Sequence, residues 1–387
     1  MKRYDHYLFI TVFLFFSCSD VKQGDLPVIP VDFVNNTVQQ LPLSEISDSI
    51  TAIELELTDE SVINPRAIQR IIISDELVFI AQSSNILVFD RNGSFVRSFG
   101  SKGQGPGEYT EIQNMTIDEI NKRLFVHSNT KIICYDWNGK VLMASSFSQG
   151  NSRKRLYDIN YINHELLLIS WSMGKEDEKG VFSHAEVYCL NDELHITDSC
   201  TLLKLYGSTG YSFGSTKDYI LISDSTVYLY YPFSTARVPN STLTGMVPQL
   251  KSVIRDTLYR YENNQLVPGI KLKFKNDGID IDGYMFINLV SVYRSSRYIF
   301  AEYFDYSKGR NDNDAYSLHI FCYDTKTGKG YRVVNDSWYT DDINQIERVH
   351  IRPFQSNSEI FYYWYTNMKP DDREEPNPTL YIGTLKK

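Results

Sequence analysis

The segment Gly100-Ser101-Lys102-Gly103-Gln104-Gly105-Pro106-Gly107-Glu108 sets a lysine among closely spaced glycines. Backbone amides of such a turn, with a lysine beside them, can cradle a phosphate. A phosphate loop, however, carries Lys-Ser/Thr after its last glycine and opens a helix. Here Lys102 precedes most of the glycines, and the downstream Thr116-Ile117-Asp118 reads as strand. The spacing predicts a connection between strands, with glycine supplying positive φ and close backbone approach. Asp277, Asp280 and Asp282 offer hard oxygens that would suit calcium. Aligned on Gly283, a calcium loop of the EF-hand type needs an acid at 278 and a glutamate at 289. Gly278 and Leu289 stand there. Arg310-Asn311-Asp312-Asn313-Asp314 is a second acidic cluster, and both clusters read as solvated turns. No His-Glu-x-x-His occurs. His127, His164, His184, His195, His319 and His350 are dispersed, so only folding could pair them. No cofactor or metal site is expected.

The last third is dense in aromatics, with Trp338-Tyr339 and Tyr362-Tyr363-Trp364-Tyr365. Such rings can form platforms for sugars. In a strand, Tyr363 and Tyr365 share one face, and Tyr362 and Trp364 the other. Only one face can be a rim, and packing into the core is the expectation.

The elements that must position these residues are strands. The chain holds 28 Tyr, 21 Phe and 4 Trp, and aromatic and β-branched residues suit pleated, half-buried surfaces. Short runs such as Leu77-Val78-Phe79-Ile80, Arg123-Leu124-Phe125-Val126 and Tyr298-Ile299-Phe300-Ala301 are bounded by Gly, Asn, Asp or Ser. Helical stripes are nearly absent. Tight turns begin near residues 90, 136, 190, 261 and 324. Their spacing fits the ~40–50 residues of a four-stranded propeller blade, with insertions in the later units. Thr51–Leu57 and Leu380–Leu385 lie outside these turns and are candidates to close a ring. The expectation is an all-β chain forming a single β-propeller of six blades, each with four antiparallel strands.

Ile86 to Phe147 carries a hydrophobic-Asp-x-x-Gly turn, Phe99-Gly100, Gly103, Gly105-Pro106-Gly107-Glu108-Tyr109 and Leu124-Phe125-Val126 in that order. This stretch resembles the NHL type of propeller repeat. In particular it resembles the six-bladed propeller lipoproteins of unknown function found in Bacteroidota. The match covers about sixty residues; the remainder agrees in rhythm alone.

At the other end, Lys2 and Arg3 precede an apolar run from Leu8 to Phe16, then Ser17-Cys18. A positive start, a short apolar core and a small residue before the cleavage point are features of a secretory signal. The run is about half of the ~20 residues that span a bilayer. Cys18 resembles the lipidated cysteine of a bacterial lipobox, with aromatic neighbours like those of Bacteroidota lipoproteins. The expected organisation is a signal peptide at 1–17, a flexible tether at 18–30 and the propeller at 31–387, with Cys18 as the lipidation site. Loss of Lys2, Arg3 and Asp5 with the leader moves the formal charge from −9 to −10. That balance argues against nucleic acid. The remaining cysteines lack CxxC spacing and read as buried thiols, although Cys189 and Cys200 flank a candidate hairpin and an oxidising compartment would permit a disulfide.

The expected location is therefore the cell envelope, anchored through lipid to the outer membrane. The expected role is a binding or scaffolding module for a protein or glycan ligand. An envelope lyase or hydrolase with its site at the central channel is the alternative. Titratable side chains converging on the channel mouth would favour the enzyme, and an aromatic rim alone would favour binding.

Overall fold

The computed structural model describes residues 26–31, 37–38, 40–100, 102–129, 131–147, 153–206, 220–231, 234–235, 253–254, 256–278, 286–305, 317–333, 338–366 and 375–387. The expected signal peptide, Cys18 and the 310–314 cluster lie outside these residues, as do Asp280, Asp282 and Gly283.

The chain folds as an all-β propeller. The first blade consists of Ile68–Ile73, Leu77–Gln82, Ile86–Asp90 and Phe95–Phe99, each strand antiparallel to the next. The second (Asn114–Asp118 to Val141–Ser146) and third (Arg153–Ile162 to Ile196–Tyr206) repeat that order. Ile220–Ser223, Thr226–Leu229, Thr257–Glu262 and Gln265–Lys273 make the fourth. Within it lies the insertion anticipated from the turn spacing, where Ser234–Thr235 pairs with Val253–Ile254. The fifth runs from Ile287–Arg294 to Lys329–Val333. The blade count differs from the expected six. Tyr339–Asp341 and Ile346–Val349, joined by Leu41–Pro42, form a three-stranded sixth blade, and the last four-stranded blade is the seventh. The sequence rhythm missed the sixth because its strands are only two to four residues long and part of it comes from the N-terminus.

A repeated turn explains the rhythm that was legible. In the first blade, Asp90 Oδ1 accepts from the backbone N–H of Asn92 and Ser94, at 2.8 and 2.9 Å. Asp136 does the same for Asn138 and Lys140, Asn191 for Glu193 and His195, and Asp324 for Lys326 and Thr327. A short polar side chain at the end of the third strand thus fixes each turn locally. Asp324 also accepts a bidentate pair from Arg297, at 3.0 and 2.7 Å. Arg297 and the turn amides together outweigh burial and hold this carboxyl down at about 2. Because the folded value lies below the unfolded one, the stabilisation is complete above the ordinary aspartate range and is lost as pH falls towards 2. It amounts to about 2 kcal/mol at neutral pH. Asp324→Asn should therefore destabilise at pH 7 by about that much, yet cost little at pH 2, as read by urea midpoints at both pH values.

The ring closes as Thr51–Leu57 and the C-terminus were expected to close it. Ser47–Glu54 pairs antiparallel with Thr379–Leu385, from Thr379 opposite Glu54 to Leu385 opposite Ser47. The chain before it acts as a belt. Val28–Pro30 lies parallel to Gln265–Lys273, Thr37–Val38 to Lys329–Val333, and Leu41–Pro42 to Tyr339–Asp341. Three consecutive blades thus have their outer edges covered, which removes sites for unwanted strand pairing. The expected tether boundary at residue 30 moves accordingly: Val28–Pro30 is a strand of the fourth sheet, and Ile29 and Val31 are buried in its core.

Apolar clusters fill the wedges between successive blades. The axis is polar and closed. The turn between Arg352–Phe354 and Asn357–Tyr365 meets the first strands of other blades there. Gln355 Nε2 donates to Asp158 Oδ1 at 2.9 Å, and its carbonyl accepts from the Ile222 N–H at 3.0 Å. Fully buried Asp158 also accepts from Asn114 Nδ2, the Ile159 N–H and the Ile220 N–H. A space of about 30 Å³ remains beside this plug, enough for one or two waters.

Candidate functional site

The glycine-rich loop proves to be a blade connection. Glu108 turns back so that its Oε2 accepts from the Gly105 N–H at 2.8 Å. The loop's own carboxylate therefore stands where a phosphate would have to bind. Lys131 Nζ donates to the Gly105 and Glu108 carbonyls, and the Tyr135 hydroxyl donates to the Gly107 carbonyl at 2.9 Å. Lys131 and Tyr135 belong to the second blade, so these bonds fix the first blade against it.

The other sequence candidates scatter. Asn276 and Asp277 take positive φ in a turn, while the rest of that acidic motif lies outside the described residues. Among the described residues, no group of three His, Cys, Asp or Glu side chains is placed to hold a metal. Cys134, Cys189, Cys200 and Cys322 are free thiols, so the Cys189–Cys200 disulfide does not form. Burial pushes the Cys134 thiol up to about 12 and Cys200 to about 11, which makes both poor nucleophiles. His127 Nε2 bonds to the Asn129 carbonyl, and His319 stacks on Tyr303. His184, Glu186 and Tyr188 line one face of a single strand and bond to one another. Tyr362 and Tyr363 are buried in the core, as expected of that aromatic run, and only Tyr365 is exposed.

Trp338 and His350 behave differently. They flank the short sixth blade, Trp338 just before its first strand and His350 just after its second. Because that blade is short, a cavity of about 430 Å³ opens beside it. Ile68, Phe304, Leu318 and Trp338 supply apolar wall; Gln69, Ser291, Glu302, His350 and Arg352 supply polar groups. Four blades contribute to it or border it, which is why no motif in the sequence announced it.

Glu302 organises the polar side. It lies on Tyr298–Asp305, two residues beyond Phe300 on the same face, and Phe300 belongs to the core shared with the sixth blade. The fifth blade's first strand bulges between Leu289 and Ser291, so that Ser291 comes opposite Glu302. Bulges commonly re-aim a side chain in this way. His350 Nε2 lies 2.7 Å from Glu302 Oε1. Burial would raise the Glu302 carboxyl, but the His350 and Arg352 charges and the bonds from His350 and Ser291 outweigh it and hold the group below the usual glutamate range. Glu302 is thus an ionised acceptor at neutral pH, and Nε2 of His350 carries the bonded proton. Trp338 meets the imidazole edge to face, with centroids 6.2 Å apart, and is 38% exposed. Arg352 rests 4.6 Å from the centroid of the Trp364 ring.

The closed ring of sheets, the plugged axis and one polar cavity define a β-propeller whose candidate site is lateral to its axis. The chain belongs to the family described as "Domain of unknown function (DUF4934)", whose model matches residues 26–380. It is similar to the "Putative exported protein" of Bacteroides fragilis NCTC 9343, with a TM-score of 0.59 at 15% identity, covering 93% of this chain and 100% of that one. That likeness shows a shared fold. Looser likenesses are a protein of unknown function from Bacteroides caccae (TM-score 0.36, 9% identity, 78% and 86% covered) and the β-propeller domain of the Trilobed protease from Pyrococcus furiosus (TM-score 0.38, 11% identity, 83% and 81% covered). No curated relative matches the chain.

Proposed function

We propose that this protein is a lipid-anchored propeller of the cell envelope, at the outer membrane, that binds a ligand in the cavity between Trp338 and Glu302. The observation that carries the binding reading is the cavity itself. At about 430 Å³ it falls within the range of small-molecule sites, and it sets a few convergent polar groups in an apolar wall. Glu302, His350 and Ser291 are already bonded to one another, so their geometry exists before a ligand arrives and little ordering cost remains on binding. The exposed indole of Trp338 offers a surface on which a sugar ring can stack. The anchor reading rests on the signal-like leader and Cys18, and it accords with the exported description of the Bacteroides fragilis protein.

The Glu302–His350 pair favours one rival, an envelope lyase or hydrolase in which the carboxylate orients an imidazole base. Calorimetry of the purified full-length chain against glycan and peptide libraries separates the two readings. Binding without product formation, weakened at least tenfold by Trp338→Ala and by Glu302→Gln, is the expected result. Turnover that disappears in His350→Ala would replace the binding reading with the enzymatic one. For the anchor, Cys18→Ala should abolish incorporation of radiolabelled palmitate and release the protein from the membrane fraction; continued labelling would end the lipoprotein reading.

A further inference from the structure

Resting on the binding reading above, we infer that the cavity takes an acidic saccharide, one whose sugar carboxylate is held by Arg352 while the ring lies against Trp338.

Arg352 opens the first strand of the seventh blade and lines the cavity. Its guanidinium is fixed from one side by the Trp364 ring. Its charge reaches Glu302 and helps to keep that carboxyl ionised. Glu302, however, spends its bonds on His350 and Ser291. Among the described residues, the Arg352 guanidinium makes no hydrogen bond or ion pair. An arginine offers five N–H donors in a planar fork and no acceptor, and this fork matches a carboxylate bidentately. A half-buried, stacked arginine whose donors are uncommitted and which borders a cavity is a preformed anion site.

The charges around it agree. Besides the Tyr293 phenol, the titratable groups that line the cavity are Glu302, His350 and Arg352. Glu302 is neutralised by its paired neighbours, so the cavity carries no net negative charge, although the chain as a whole is at −9. An acidic ligand is therefore not repelled locally. The rest of the lining narrows the class. Ser291, Gln69 and His350 are compact groups suited to hydroxyls, and Trp338 is an exposed aromatic platform. Ring stacking, hydroxyl partners and one carboxylate clamp together describe a uronic-acid type of sugar.

The test uses the full-length chain and two probes, a tetrasaccharide ending in glucuronic acid and its carboxyl-reduced counterpart. They differ only in the charged group. The acidic probe should bind about 10- to 100-fold more tightly, as expected of a charge-assisted bidentate pair. Arg352→Gln should erase that difference by weakening the acidic probe alone, and Arg352→Lys should restore part of it. Trp338→Ala should weaken both probes alike. Unchanged melting midpoints in the variants would show that folding is intact. Equal binding of the two probes, still sensitive to Trp338→Ala, would overturn the acidic assignment and leave the cavity as the binding site. Binding of neither probe, together with Arg352-dependent binding of a short peptide through its C-terminal carboxylate, would overturn the saccharide assignment. Binding of neither probe or peptide would overturn the cavity reading as well.

Discussion

Replacing Asp158 with alanine should lower the stability of the propeller by about 3–5 kcal/mol. The side chain is fully buried at the axis. It accepts from Asn114 Nδ2 at 2.6 Å, Gln355 Nε2 at 2.9 Å, the Ile159 N–H at 2.9 Å and the Ile220 N–H at 2.9 Å. These donors come from the second, third, fourth and seventh blades. Alanine would take this acceptor from the Ile159 and Ile220 N–H groups and one bond each from Asn114 and from Gln355, whose Nε2 keeps the Ile159 carbonyl at 3.3 Å, and each buried orphan costs about 1–3 kcal/mol. The sum is reduced because water can enter from the adjoining space of about 30 Å³. Asp158→Asn should cost less, since one oxygen remains, although its new N–H groups must face donors. Equilibrium denaturation followed by tryptophan fluorescence measures both variants. A loss below about 1 kcal/mol for alanine would mean that the axial network is dispensable.

Gly93→Ala should be the next most damaging change, at about 2–4 kcal/mol, and it should act through the closure of the ring. Gly93 sits at φ +90°, a conformation that an L side chain adopts only under strain. A Cβ there would also stand 1.9 Å from the Glu54 carbonyl oxygen. Glu54 belongs to the closing strand, and the next residues are tied to the same turn: the Glu56 N–H donates to the Gly93 carbonyl, and Glu56 Oε2 accepts from the Phe95 N–H. The methyl group would push on backbone rather than on a flexible side chain. Gly328 provides the control. It has a positive φ of 70°, but the nearest atom to its Cβ would be the Tyr323 hydroxyl at 3.8 Å. Gly328→Ala should therefore show the conformational penalty alone, about 1 kcal/mol. Equal losses at the two glycines would rule out the steric part of the argument. Hydrogen exchange should further show that Gly93→Ala exposes Thr379–Leu385 before other strands.

The local features of this fold were legible because they are made by neighbouring residues. Asp90, Asp136 and Asp324 mark turns with their own carboxylates, and Asn191 does so with its amide, each bonded within four residues. The aromatic alternation around Tyr362 reads as core because the period of a strand is fixed. The lysine at 102 is legible as a poor phosphate ligand by its order among the glycines, and the structure adds the reason, a carboxylate from Glu108 on the loop's own amide. The sixth blade was not legible, since a strand of two to four residues leaves no periodicity to read. The candidate site was not legible either. Glu302 and His350 are 48 residues apart, and no spacing rule links them to Trp338, Arg352 or Gln69.

By itself the sequence determined the class of fold, the turn chemistry of its repeats and the strands that close it. Each of these follows from side-chain period or from contacts a few residues apart. It also carries the signal-like leader and Cys18, which need no tertiary context to be read. Tertiary structure alone decided the number of blades, the belt along three outer edges, the plug at the axis and the lateral cavity. The reason is physical: these features are made where blades meet, so they depend on which distant strands become neighbours. A propeller brings such strands together through ring closure, and only the closed ring sets an ionised Glu302, its His350 partner and an uncommitted Arg352 around one space.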